Sequence, residues 1–174
     1  LPYADVTHNL PAQLGYVPER PIIYEYYTLR EHIHLLIQMF RKDEAALWQR
    51  ALDLCETFKL QHKLDDYPIQ FSKGMQQKVM LVLAFTPTYD FYIVDEPFMG
   101  LDPQAIRALL QLLRDYRDNG ATILMSTHAL DTAERLCDTF LCVHEGRLIA
   151  QGTLQELQRD PSDTLLDVFD DVIA

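Results

Sequence analysis

A chain of 174 residues, 48% of them hydrophobic and only 6 of them glycine, can bury a core and is too apolar for a disordered segment. Its formal net charge of −11 argues against wrapping DNA or RNA, which needs clustered Lys and Arg, yet is compatible with a nucleotide that brings its own magnesium ion. Cys55, Cys137 and Cys142 lie in apolar periodic stretches without a C-x-x-C pair and read as buried reduced thiols of a cytosolic protein.

In chain order, TLREHIHLLIQMF (28–40) begins with a T-x-x-E capping box and places apolar residues at 29, 33, 36, 37 and 40, the pattern of a helix with one buried stripe. A second helix is expected from near Asp43 through EAALWQRALDLCETFKL, with Leu47, Ala51, Leu54, Cys55 and Phe58 on one side. A loop containing Asp65, Asp66 and Pro68 leads to FSKGMQQKVM, whose helix runs from 73 to about 85 and must stop before Pro87. These three form a small helical subdomain.

Beyond Pro87 the pattern alternates: strand FYIVD (91–95), helix QAIRALLQLLRDYRD, strand ATILMS (121–126), a helix from about 130 to 137, then strand TFLCVH (139–144). Asp102 and Pro103 suit the start of the middle helix and Gly120 its exit. Such alternation implies a parallel α/β sheet, with ligands at the carboxyl ends of its strands. A hairpin across Glu145-Gly146 follows, then a helix capped by Thr153 and Glu156 and a last acidic-apolar helix, SDTLLDVFDDVIA, packing one face on the core. The longest uncharged apolar runs, such as IHLLIQMF, are too short to cross a membrane, and no signal peptide is visible, so a soluble domain is expected.

Candidate chemistry gathers at four places. FYIVDEP sets Asp95 and Glu96 directly after a strand that reads as buried on both faces. Adjacent strand residues point in opposite directions, so the two carboxylates suit separate jobs: one to hold Mg²⁺ through water, one to orient or deprotonate an attacking water. A strand ending in solvated acids is the plainer explanation of the same run. His128, in STH after the next strand, falls at the same sheet edge, where an imidazole could donate to a phosphate oxygen. His8, His32, His34, His62 and His144 carry no such placement and read as structural. In FSKGMQQKVM, Ser72 and Gly74 open a helix, where unpaired N–H groups and the positive dipole end favour an anion. In MGLDP (99–103), Asp102 caps a helix whatever the function.

Together these residues identify a family. FSKGMQQKV resembles the signature sequence of ABC-type ATPases, FYIVDEP their Walker B strand with its catalytic glutamate, MGLDP their D-loop and STH their switch histidine, in the family's order and approximate spacing. CDTFLCVHEGRLIAQGTLQEL resembles their closing hairpin and helix, so the likeness runs from about Gly15 to Gly152 and beyond. It implies a P-loop NTPase-like (RecA-like) α/β core, incomplete here, with an inserted α-helical subdomain. The corresponding segments are 1–20 (end of the N-terminal part of the core, with the Q-loop position), 21–86 (helical subdomain), 87–160 (C-terminal part of the core) and 161–174 (C-terminal helix).

The resemblance further implies an ATP-hydrolysing subunit that dimerises head to tail around two ATP molecules. Ser72, Lys73, Gly74 and Met75 then contact the γ-phosphate of ATP on the opposite subunit, and Asp102 contacts the interface near the same phosphates. Asp95 serves Mg²⁺, with Glu19 at a second magnesium position, Glu96 polarises water and His128 senses the γ-phosphate. PIIYEYYTLREH faces a transmembrane permease, which places the subunit on the cytoplasmic face of the membrane. Among transporters, GYVPERPIIYEYYTLREH is most similar to bacterial exporters of the Ecs type.

Three departures stand out. The G-x-x-x-x-G-K-[ST] loop and the upstream adenine-stacking aromatic do not occur, and the first residue is Leu1 rather than Met, which leads to the expectation of a fragment, inactive alone. Glu19 stands where the family usually has glutamine. Lys73 and Met75 replace the usual glycine and glutamine; Lys73 suits a phosphate neighbour, while Met75 removes a polar contact. Two alternatives stay open at this point: a soluble ABC ATPase unconnected with transport, and a truncated interaction module without turnover.

Overall fold

In the computed structural model, residues 14–40 and 43–173 are described, so His8 and the greater part of the 1–20 segment lie outside the description. Two compact units divide the chain, one running to Ser126 and the other from Thr127.

The first unit opens with strand β1 (Leu14–Val17), followed by helices α1 (Leu29–Phe40) and α2 (Glu44–Thr57). The Thr28 backbone N–H and hydroxyl both donate to Glu31 Oε2, at 2.7 and 2.9 Å, and the Glu31 N–H returns a bond to the Thr28 hydroxyl, so the expected capping box fixes where α1 starts. Helix α2 ends at Thr57, three residues before the sequence pattern suggests. Lys59 takes a left-handed φ of 59°, which turns the chain so that Phe58 and Leu60 both reach the core. Two 3-10 turns, Gln61–Lys63 and Pro68–Gln70, lead into α3 (Lys73–Phe85).

Strand β2 (Phe91–Asp95) then pairs in parallel with β1 on one side and with β3 (Thr122–Ser126) on the other, and α4 (Pro103–Asp118) crosses between β2 and β3. The sheet order is β1-β2-β3. Val17, Tyr92 and Val94 are fully buried on one face, where Gly15 lets the Tyr92 ring approach so closely that an added Cβ would sit 2.4 Å from it. The opposite face behaves differently: Tyr16 is 51% and Leu124 47% exposed, and the odd positions of β2 are only half-buried. The expectation that FYIVD is buried on both faces therefore fails: Tyr92 and Val94 are buried, while Phe91, Ile93 and Asp95 on the other face are only half-buried.

A knot of polar and aromatic groups joins α2 to the C-terminal end of α3 and to α4. Arg50 Nε donates to the Phe85 carbonyl at 3.1 Å, Tyr116 donates its hydroxyl hydrogen to the same oxygen at 2.6 Å, and the Arg50 guanidinium also reaches the Tyr116 hydroxyl. Carbonyls at a helix C-terminus are unpaired and negative, so a guanidinium is a fitting cap there. Phe85, Tyr92 and Tyr116 pack ring to ring beneath it at centroid separations of 5.0–5.1 Å.

The second unit holds α5 (Leu130–Leu136), strands β4 (Phe140–His144) and β5 (Arg147–Gly152), α6 (Leu154–Leu157) and α7 (Leu165–Ile173). Strand β4 pairs antiparallel with β5 across the two-residue turn Glu145-Gly146, both at positive φ, so the hairpin reading holds while a place for β4 in the parallel sheet does not. Its core forms around Ala133, Phe140 and Leu165, and Thr153 and Glu156 make the expected capping box at α6. Helix α7 packs on α5 and β5, with Leu165 and Val168 buried as its sequence pattern suggests.

Candidate functional site

Parallel pairing brings the ends of β1, β2 and β3 to one edge, with Val17 opposite Val94, Met125 opposite Val94 and Ser126 opposite Asp95. The Ser126 hydroxyl donates to Asp95 Oδ1, a bond that register alone sets up, since directly opposed residues project from the same face. Asp95 is half-buried, so a carboxylate is held in place at the strand end while keeping access to solvent.

Glu96 is the point where regular strand geometry stops. Its φ is 42°, a left-handed value uncommon for a residue with a side chain, and its N–H donates to the Ser126 carbonyl at 3.1 Å. Strand alternation, which would point Asp95 and Glu96 to opposite faces, therefore does not set the direction of the Glu96 side chain; the turn does. The Glu96 carbonyl accepts from the Met99 N–H at 3.3 Å, which starts the loop leading to Asp102. Glu19 lies two residues beyond Val17 in an exposed bend at the same end of β1.

Helix α3 supplies the third group. Ser72 is its N-cap, the hydroxyl accepting from the Met75 N–H at 3.3 Å, and both Ser72 and Lys73 are exposed while Gly74 and Met75 are half-buried. Gln76 ties this opening turn to the preceding 3-10 turn through the carbonyls of Pro68 and Ile69, at 3.1 and 3.2 Å. Gly74 lies against the Gly100 carbonyl so tightly that a Cβ there would stand 2.2 Å from the oxygen. One turn further on, Lys78 Nζ reaches Asp102 Oδ2 at 2.6 Å.

Asp102 caps α4 with its other oxygen, Oδ1, which accepts from the N–H groups of Gln104 and Ala105 at 3.0 and 2.9 Å. The hydrogen bond from Lys78, then that from Ala105, pulls its carboxyl down to about 2. His128, the second residue of the second unit, is exposed, with its carbonyl accepting from the Leu130 N–H at 3.0 Å.

Lys78, Ser126 and Gly100 lie inside the motifs quoted above, but the sequence assigns none of them a role of its own. Ser126 could have been found once the two strands were aligned in register. Lys78 sits four residues after Gly74, so helical periodicity places both on one face, but only the fold reveals what that face meets.

A family model described as "AAA domain, putative AbiEii toxin, Type IV TA system" matches residues 29–130. The chain is 43% identical over 156 residues to the ABC-type transporter ATP-binding protein EcsA of Bacillus subtilis (strain 168), covering 90% of this chain and 63% of that protein. It is 44% identical over 158 residues to the uncharacterized ABC transporter ATP-binding protein YthP of the same organism, covering 89% of this chain and 67% of that one. The chain belongs to the ABC-transporter ATP-binding family. By the extent of its match it also belongs to the family of the AAA-domain model. A solved structure titled "Structure of ATP binding subunit of ABC transporter" superposes with a TM-score of 0.92 at 42% identity, over 98% of this chain and 72% of that one. The α/β fold is thus that of a P-loop NTPase, and this ABC-family chain spans under two thirds of the length of EcsA. No helix of the described residues is long and apolar enough to cross a membrane.

Proposed function

We propose that these 174 residues are part of the ATP-binding and ATP-hydrolysing subunit of an ABC transporter, which works by head-to-tail dimerisation around ATP. The observation that carries the reading is the edge at Asp95, Glu96 and Ser126, where one carboxylate is steadied by a hydroxyl and the next is presented on a left-handed turn at the carboxyl end of a parallel strand.

Among the described residues no cluster of three or more His, Cys, Asp or Glu could hold a metal alone. A magnesium ion arriving with nucleotide phosphates needs only one or two carboxylates, and the hard oxygens of Asp95 and Ser126 fit it. Asp95 would hold it, with Glu19 as the second candidate; when bound, the ion neutralises charge on the phosphates. Glu96 accepts the proton of the attacking water and His128 donates to a γ-phosphate oxygen. Ser72, Lys73, Gly74 and Met75 offer the N-terminus of α3, exposed at Ser72 and Lys73, to the γ-phosphate of the partner subunit's ATP, and Asp102 lies near the same interface.

The partners are then a second ATP-binding subunit and a transmembrane permease, with the protein peripheral on the cytoplasmic face of the membrane. Ile22 and Tyr26, 68% and 85% exposed, support a permease contact in the PIIYEYYTLREH segment, beside a depression lined by Ile23, Tyr24, Tyr27 and Leu35. The 174 residues contain no G-x-x-x-x-G-K-[ST] sequence and are expected to release no phosphate on their own.

The test is Glu96→Gln in the whole subunit. ATP should still bind and hold the dimer together while phosphate release falls by about 10²-fold or more. Hydrolysis at the wild-type rate would remove Glu96 from the role of base.

A further inference from the structure

Two contacts, one helical turn apart on the same face of α3, hold the loop that follows Glu96. At the first, the Gly100 carbonyl rests on Gly74, where any side chain would displace it. At the second, Lys78 pairs with Asp102, and the lysine side chain is only 13% exposed. The same Asp102 carboxylate caps α4, so a single side chain joins α3, the loop and the start of α4. Gly100 itself takes a φ of 73°, and the loop returns to Glu96 through the Met99 N–H, leaving few residues between the two clamps and the carboxylate.

We propose that Lys78 is a positioning residue that, with the Gly74–Gly100 contact, makes the opening turn of α3 and the 99–103 loop one rigid piece. The inference rests on the ATPase reading for its catalytic consequence. Under that reading the piece carries two functions at once: the phosphate grip offered to the partner's ATP and the loop that sets Glu96 over its own. The geometry of the phosphate grip and that of the loop beside Glu96 are therefore set together by the same two contacts. Lys78 acts through Asp102, the carboxylate it pairs with.

The experiment uses the whole subunit with Lys78→Met and Lys78→Arg, read by hydrogen–deuterium exchange without ATP and by steady-state ATPase kinetics. In Lys78→Met, exchange should rise about tenfold in both the 73–76 and the 99–105 amides. Misplacing a reacting group by a fraction of an ångström to an ångström should lower kcat by about tenfold or more with KM within about twofold. Lys78→Arg, which keeps the charge and the reach, should recover most of both.

Faster exchange in only one of the two segments overturns the single-body claim, as does a Lys78→Met kcat within about twofold of wild type or an arginine variant as poor as the methionine one. Should Lys78→Met not fold, Lys78→Gln is read against the same limits. If the wild-type subunit releases no phosphate, the ATPase reading fails while the exchange data still decide the clamp.

Discussion

Replacing Gly74 by alanine adds one methyl group at the most crowded glycine of the described residues. The new Cβ would stand 2.2 Å from the Gly100 carbonyl oxygen and 3.3 Å from its carbon, so the loop must withdraw by over 1 Å before ordinary contact at 3.4 Å is reached. Withdrawal is costly because the obstacle is backbone, and because Lys78 and the α4 cap hold Asp102 two residues further on. Overpacking of this kind costs about 1–3 kcal/mol, while alanine in a helix returns up to about 1 kcal/mol over glycine. The net loss should be about 1–2 kcal/mol, or a Tm lower by about 3–6 °C for a chain of this size. Thermal unfolding followed by circular dichroism measures it. A Gly74→Ala protein that melts at or above the wild-type temperature would mean that the Gly100 carbonyl yields freely and that helix propensity alone governs the position.

Arg50→Met keeps the length of the side chain but removes the donors to the Phe85 carbonyl and the Tyr116 hydroxyl, and the cation held 5.2 Å from the Tyr116 ring centre. Tyr116 still satisfies the carbonyl, so the expected loss is about 1–3 kcal/mol in urea unfolding, and a change below about 0.5 kcal/mol would count against the latch. Asp102 makes a pH prediction. Its carboxyl is lowered in the fold to about 2, so its stabilising contribution is present above the ordinary carboxylate value near pH 4 and is lost as the pH falls through about 2. The stability gap between wild type and Asp102→Ala should be constant from about pH 5 to 7 and narrow steadily below about pH 4. A gap that stays unchanged down to about pH 2 would contradict this origin of the shift.

Much of the chain was legible because local chemistry and long-range packing agree. Thr28 with Glu31, Ser72, Asp102 with Pro103, and Thr153 with Glu156 mark helix starts by groups that bond their own first turn, and all four helices begin there. Features set by the approach of distant segments stayed hidden. The end of α2 depends on Lys59 entering a left-handed turn, which no periodicity requires. Strand β4 looks like β3 in composition, yet its partner is decided by the two-residue turn that follows it. At the site, residue types were readable for Asp95, Glu96 and Ser72, but not the left-handed turn at Glu96, the Ser126 hydroxyl on Asp95 or the Lys78–Asp102 pair. Each of those joins positions at least 24 residues apart or breaks a local rule.

On the proposed head-to-tail reading, Ser72 and Glu96 of one subunit serve different ATP molecules. Two inactive variants of the whole subunit, Ser72→Arg and Glu96→Gln, decide it when purified separately and then mixed. If the subunits pair head to tail, a mixed dimer contains one site with an intact serine from one chain and an intact glutamate from the other. Phosphate release should then reappear on mixing, at up to about a quarter of the wild-type rate for random pairing with one working site in half of the dimers. If mixing leaves the rate at the level of the separate variants, Ser72 and Glu96 act on the same nucleotide within one chain, contrary to head-to-tail pairing around ATP.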